Sequence, residues 1–227
     1  MAVYNAPLGK IDPRETRRYA GLIKAKNFDE KLIADACEDA LLLAAPRGIW
    51  QVYDYDCKGQ EIASSPPCKI IGKKIGEHLA RCDKVVLLSA TVGEEIEEAV
   101  TRRFREGEYA SSLLLDAAAT TAVEQLADAM EKAIAPKAAA KGYAMRWRFS
   151  PGYGDWPLEQ QPDILRLSGG EKIGVSLSES LMLIPRKSIT AVIGLYQKDS
   201  VMEDSTDRRT TRGCESCNRK DCPSRSG

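Results

Sequence analysis

The hydrophobic positions change period several times along the chain, and each change predicts a different element. Between Asn27 and Ala45, residues Leu32, Ile33, Ala36, Cys37, Ala40, Leu41 and Ala44 recur at helical spacing, and Pro46 with Gly48 ends the run. This is the pattern of an amphipathic helix. Ile49 to Tyr55 is rich in aromatic and β-branched residues and predicts a strand. Pro66-Pro67 marks a loop, a short helix follows around Ile75 to Arg81, and Val85 to Leu88 is an apolar run of strand length. From Gly93 the pattern is helical over about 45 residues, with a break near Gly107 and an end at Pro136 and Gly142. Glu94, Glu95, Glu97 and Glu98 sit in its first turns and Arg102, Arg103 and Arg105 later, which matches the helix dipole and predicts a solvated face. The second half carries Leu113, Leu114, Ala117, Ala118, Val123, Leu126, Ala127, Met130, Ala133 and Ile134 as an apolar stripe. Its small members predict close packing on something flat, such as a sheet.

Tyr143 to Phe149 alternates and predicts a strand, and Ile189, Ala191, Ile193 and Leu195 alternate with their neighbours in a second one. Ile173 to Ile184 is strand-like in composition. Strands that follow one another without long helices between them predict an α+β fold, a twisted antiparallel β-sheet with flanking helices. After Tyr196 the composition becomes polar, and Lys198 to Gly213 holds only Val201 and Met202 as large apolar residues. The expected organisation is a globular domain over residues 1–197 and a polar linker with a Cys-rich tail over 198–227.

Composition narrows the function. Lys plus Arg equals Asp plus Glu at 33 each, so no global field favours nucleic acid or an anionic membrane surface. No apolar stretch approaches the roughly 20 residues of a membrane span. Met1 to Lys10 lacks a basic run followed by an apolar core, so no secretory signal is read there and a cytoplasmic location is expected. His78 is the only histidine; it lies in the charged stretch Glu77-His78-Leu79 and reads as a surface residue rather than a catalytic base. No H-E-x-x-H, Walker A or G-x-G-x-x-G pattern occurs, and Ser168-Gly169-Gly170-Glu171 reads as a turn.

The seven cysteines form two populations. Cys37, Cys57, Cys68 and Cys82 are scattered and read as small buried hydrophobes or inert thiols. Cys214, Cys217 and Cys222, followed by Pro223, place a chelating CxxC pair near a third thiolate. They are candidate ligands for zinc or an iron–sulfur cluster, with the fourth ligand open among Cys57, Cys68, Asp221 and a partner's residue. A redox pair and an unliganded tail are the alternatives.

The segment Arg146-Trp147-Arg148-Phe149-Ser150-Pro151-Gly152-Tyr153-Gly154-Asp155-Trp156-Pro157 ends a predicted strand in a loop with two glycines and two prolines. Gly152 and Gly154 permit close backbone approach, and Tyr153 and Trp156 offer flat faces to a purine or a sulfonium cation. Arg148, placed by alternation on the same strand face as Arg146, is positioned to fork a carboxylate. From residue chemistry alone this is either a ligand loop or a rigid turn with packed aromatics.

Here the chain resembles the activation, or reactivation, domain of cobalamin-dependent methionine synthase. That family carries an R-x-x-P-G-Y motif and a following proline, matched by Arg148, Pro151, Gly152, Tyr153 and Pro157. Further on it has a G-x-x-L-T-E-S segment, a proline and a strand beginning with serine. Gly174 to Ser180, Pro185 and Ser188-Ile189 look like those pieces in order. The resemblance implies that Arg148, Ser150, Gly152 and Tyr153 contact S-adenosylmethionine, together with an acidic residue of the preceding helix. Glu124 is the candidate and Asp128, one turn later, the next; Thr121-Ala122-Val123-Glu124 also fits a capping box, which would give Glu124 a structural role instead. Glu179 is similar to a residue that orders the loop.

The function implied is a rescue in which inactive cob(II)alamin is reduced and methylated from S-adenosylmethionine. The cobalamin would be supplied by a partner, a corrinoid-binding methionine synthase or a related methyltransferase chain. The electron would come from a donor such as flavodoxin or ferredoxin. The chain would be a component of a methyltransferase without a complete active site of its own. It departs from the family in standing apart from the folate, homocysteine and cobalamin domains and in adding the cysteine tail. It also lacks the tyrosines that follow the last motif strand, where Gln197-Lys198-Asp199-Ser200 stands. A module of the same fold that docks on a corrinoid protein without binding S-adenosylmethionine is the alternative.

Overall fold

A computed structural model describes residues 3–5, 8–25 and 28–197. The helices are α1 (Pro13–Tyr19), α2 (Glu30–Leu43), α3 (Lys73–Leu79), α4 (Glu95–Arg105), α5 (Tyr109–Ala139) and α6 (Gln161–Ser168). The strands are β1 (Arg47–Asp56), β2 (Glu61–Ile62), β3 (Cys68–Lys69), β4 (Lys84–Thr91), β5 (Tyr143–Met145), β6 (Ser176–Leu177), β7 (Leu183–Ile184) and β8 (Ser188–Gln197). Six strands form one sheet in the order β3-β2-β1-β4-β8-β5 with every neighbouring pair antiparallel, and β6 and β7 make a separate hairpin. The expected α+β fold, an antiparallel sheet flanked by helices, is the one observed.

Both faces of the sheet are covered, which is why Val85 to Leu88 reads as a continuous apolar run rather than an alternating one. Val86, Leu88 and Ala90 of β4 pack with Ala191, Ile193 and Leu195 of β8 against α5. Val85, Leu87, Val192 and Tyr196 point the other way, into a core closed by Ile75 and Leu79 of α3 and Ile164 and Leu167 of α6. Of the expected stripe on α5, Leu114, Ala117, Ala118, Val123, Leu126, Ala127, Met130 and Ile134 are buried, whereas Leu113 is 55% exposed; Ala119 and Ala122, outside that stripe, are also fully buried. The approach is so close that a Cβ on Gly48 of β1 would collide with the Met130 thioether.

Several expectations are corrected. Pro136 does not end the long helix, which runs on to Ala139; the proline sits in its last turns on the exposed side, where one missing N–H is tolerated. Ile173 to Ile184 is not one strand but a 3-10 turn, Gly170–Ile173, followed by the β6–β7 hairpin. Gly169 and Gly174, at φ +80° and +81°, turn the chain on either side of that 3-10 turn. The acidic face of α4 is not wholly solvated, because Glu97 accepts a 2.8 Å hydrogen bond from the Lys187 N–H and pairs with Arg186. Two short helices, α1 and α6, escape the periodicity; α1 is nonetheless announced by the Asp12 side chain that caps it and by Pro13 at its first position.

His78 is buried, not a surface residue. Its Nε2 donates to the Trp147 carbonyl at 2.9 Å, and its ring lies 4.5 Å from that of Trp147 and 5.6 Å from that of Phe149. Burial pushes its pKa below the ordinary 6.5, against the opposing effect of the Trp147 carbonyl. The unfolded chain therefore binds more protons over this window, so His78 destabilises the fold as pH falls through 6.5 toward the lower folded value. Urea titrations between about pH 7 and pH 5 are expected to show a shallower loss of stability in His78→Gln than in the wild type. Identical slopes would rule this out.

Cys37, Cys68 and Cys82 are buried free thiols, as expected, and burial pushes all three up, Cys82 to about 11. Cys214, Cys217 and Cys222 lie outside the described residues. Among the described residues no group of three or more His, Cys, Asp or Glu side chains is arranged to hold a metal ion. No described helix is long and apolar enough to cross a membrane.

Candidate functional site

The site begins with an irregularity at the edge of the sheet. Met145 of β5 pairs with Leu195, and the Arg146 N–H donates to the Gly194 carbonyl at 2.8 Å. The ladder resumes only at Phe149, which exchanges bonds of 2.9 and 2.8 Å with Val192. Trp147 and Arg148 therefore stand opposite one residue, Ile193, and form a β-bulge. The extra residue resets the alternation. Arg146 lies against the Tyr196 ring at 5.1 Å and Trp147 against His78, both on the α3 face. Arg148 turns to the opposite face, toward α5. Simple alternation, which puts Arg146 and Arg148 together, fails at this bulge.

On α5, Glu124, Asp128 and Glu131 follow one another at helical spacing and converge on the Arg148 guanidinium. Nη2 donates to Glu124 at 2.6 Å, and Nη1 to Asp128 at 2.5 Å and to Glu131 at 2.6 Å. The Glu131 side chain is only 4% exposed, against 36% for Glu124 and 42% for Asp128. Burial works against the charge on Arg148, but its hydrogen bonds to Asp128 and Glu131 outweigh that and hold the guanidinium above its usual range. Thr121 lies inside α5 and donates to the Ala117 carbonyl, so the capping box is not formed and Glu124 faces Arg148 instead.

Beyond Arg148 the chain turns sharply. The Tyr153 N–H donates to the Ser150 carbonyl at 3.2 Å, and the Gly152 N–H to the Trp156 carbonyl at 2.9 Å. Gly152 and Gly154 adopt φ of +87° and +63°, a region that side chains disfavour. Tyr153 is 67% exposed. Trp156 is not available to a ligand: it is 1% exposed, packs near Phe149 and donates from Nε1 to Gln160 Oε1 at 2.6 Å. Asp155 caps α3 from across the loop by accepting from the Lys73 and Lys74 N–H groups. Glu179, like Tyr153, is exposed, on the β6–β7 turn.

The structure thus joins Arg148 to Glu124 and Asp128 and places Ser150, Gly152 and Tyr153 on the loop that leaves the bulge. Sequence reasoning missed Glu131, although its spacing from Glu124 and Asp128 was a legible signal. It also missed Lys187, whose ammonium bonds Asp116 and Thr120 earlier along α5. Two clefts, of about 580 and 440 Å3, lie elsewhere.

No protein-family model matches the sequence, and no curated protein matches it. Among solved structures, the chain is similar to the crystal structure of the MetH reactivation domain bound to AdoHcy, with a TM-score of 0.59 at 15% identity. The match covers 89% of this chain and 81% of that one, and at this identity it establishes a shared fold.

Proposed function

We propose that the chain is an S-adenosylmethionine-binding reactivation module for the cobalamin of a separate corrinoid protein, a methionine synthase or a related methyltransferase. The observation that carries this reading is the Arg148 cluster beside the Tyr153 loop. Three carboxylates against one guanidinium leave the cluster formally anionic. S-adenosylmethionine matches that balance, with one carboxylate, an ammonium and a sulfonium. Its carboxylate would take the place of Glu124 or Asp128 on Arg148, and the displaced side chain would accept the ammonium. Exposed Tyr153 offers its face to the adenine or the sulfonium.

The chain's part in the chemistry is placement, which needs no general acid or base. Bound S-adenosylmethionine would supply the methyl group, and a donor such as flavodoxin or ferredoxin the electron, that return cob(II)alamin on the partner to its methylated form. The fold shared with the MetH reactivation domain supports this reading.

Calorimetric titration tests it. Wild type is expected to bind S-adenosylmethionine, and Tyr153→Ala to bind about 3- to 30-fold more weakly if the ring faces a cation. Arg148→Ala should show no saturable binding. No heat with wild type, or equal affinity in the Arg148 variant, would sink the proposal. One observation favours a second reading, a docking module that has lost the ligand: Arg148 is already held by three carboxylates of its own chain. That module would give no heat yet still capture a corrinoid protein.

A further inference from the structure

Helix α4 packs on the first turns of α5, where the Ser112 hydroxyl donates to the Val100 carbonyl at 2.8 Å and Arg103 donates to Ser111 at 2.9 Å. These contacts lie about 18 Å along α5 from Glu124, at a rise of about 1.5 Å per residue. Two features adjoin on the outer side of α4. One is a group of exposed apolar side chains, Phe104 at 60%, Tyr109 at 61% and Leu113 at 55%, with the Phe104 and Tyr109 rings edge to face at 5.1 Å. The other is the cleft of about 580 Å3, lined by Ile184 and Pro185 together with Glu94, Glu98, Thr101 and Arg105. Thr101 lies one turn before Phe104, so the aromatic knob borders the cleft.

Charge is segregated along the same helix, with glutamates at its start and Arg102, Arg103 and Arg105 at its end. Glu97 is engaged by Arg186 and the Lys187 N–H, and Arg103 by Asp39 and Ser111. Glu94, Glu98, Arg102 and Arg105 are exposed and form no ion pair among the described residues. A helix acidic at one end and basic at the other complements a second copy laid antiparallel across it and repels one laid parallel. A two-fold axis near Thr101 then meets three requirements together. It sets the free carboxylates of each copy opposite the free guanidinium groups of the other, carries each Phe104 to the other copy's cleft, and closes the assembly at two chains.

We propose that the chain forms an isologous dimer through antiparallel α4 helices, with Phe104 of each copy in the cleft of the other. Helix α4 has 11 residues, a contact length of about 16 Å. Such a contact, with one aromatic pair from each copy, falls below the roughly 1,200 Å2 of a standard interface, so dimers form in roughly the 10–100 µM range. Burial of Phe104, Tyr109 and Ile184 supplies the attraction, and the charges set the antiparallel direction. None of this depends on S-adenosylmethionine.

Sedimentation velocity of the full chain in reducing buffer, where cysteines cannot join copies, tests the proposal. A reversible monomer–dimer equilibrium is expected, and Phe104→Asp should weaken it at least about tenfold, because its carboxylate would have to leave water in the cleft. Two further variants test the direction of the helices. Glu94→Lys with Glu98→Lys makes both ends of the α4 surface basic, and Arg102→Glu with Arg105→Glu makes both ends acidic. Each should dimerise about three- to tenfold more weakly than wild type, whereas an equimolar mixture of the two should form a heterodimer at least as tight as the wild-type dimer, resolved by mass in native mass spectrometry. A wild-type chain still monomeric at about 500 µM would overturn the dimer. Unchanged association of Phe104→Asp at native helicity, or oligomers that grow past two chains, would overturn this interface. Charge variants of native helicity that form no heterodimer would overturn the antiparallel arrangement.

Discussion

Arg148→Ala is expected to lower stability by about 2–4 kcal/mol at neutral pH, whatever it does to the proposed ligand binding. The cost centres on Glu131, whose side chain is 4% exposed and would be left as a buried carboxylate without its guanidinium. Removing one partner of a buried ion pair typically costs about 3–5 kcal/mol. The lower range applies here because the Arg148 side chain is 19% exposed and water can enter the space it leaves. Glu124 and Asp128 reach solvent and are hydrated by themselves. Urea unfolding followed by circular dichroism measures the loss. The companion substitution Glu131→Gln, made in the Arg148→Ala background, should recover most of it, because a neutral amide needs no counter-charge. An Arg148→Ala protein as stable as wild type would show that the carboxylates do not depend on Arg148. Arg148→Lys should fall between the two, since one ammonium cannot span three carboxylates as a planar guanidinium does.

Trp156→Ala should cost about 3–5 kcal/mol, the range for deleting a large buried aromatic side chain. Trp156 is 1% exposed and belongs to the core that also holds Ile75, Leu79 and Val192. Its indole N–H bonds Gln160, whose side chain also accepts from the Ile71 N–H and donates to the Lys69 carbonyl. The loop that carries Tyr153 is therefore tied through Trp156 to the segment between β3 and α3. Trp156→Phe retains most of the apolar burial but loses the N–H, and about 1 kcal/mol is expected. The Ala variant should also speed amide exchange at Gly152, whose N–H bonds the Trp156 carbonyl. A Trp156→Ala protein within about 1 kcal/mol of wild type would mean that the core does not rest on this ring.

The two substitutions differ in what could have been read beforehand. Arg148 and Glu124 were legible as chemistry, because a motif singles them out, but their partnership was not. That contact requires α5 to lie across one face of the sheet and a bulge to turn Arg148 toward it. Trp156 was legible as an aromatic in a loop, and loop position pointed to exposure; the structure buries it because α6 and β8 enclose that end of the second core. His78 was misjudged for the same reason. Its charged neighbours are real, but burial of a side chain depends on what packs over it.

The sequence by itself determined the helices and strands whose period is long and regular: α2, α5, β1, β4 and β8. It also determined the antiparallel class and some of the bends that need glycine, at Gly107, Gly142, Gly152, Gly154 and Gly169. These are local properties, set by side-chain spacing and by backbone conformations available within a few residues. Only the tertiary structure decided the rest. Helices as short as α1 and α6 gain most of their stability from packing. The bulge between Met145 and Phe149 exists because β5 must stay paired with β8 on both sides of an extra residue. The convergence of three carboxylates on Arg148 depends on which helix crosses which face, a matter of long-range burial that no short stretch of residues encodes.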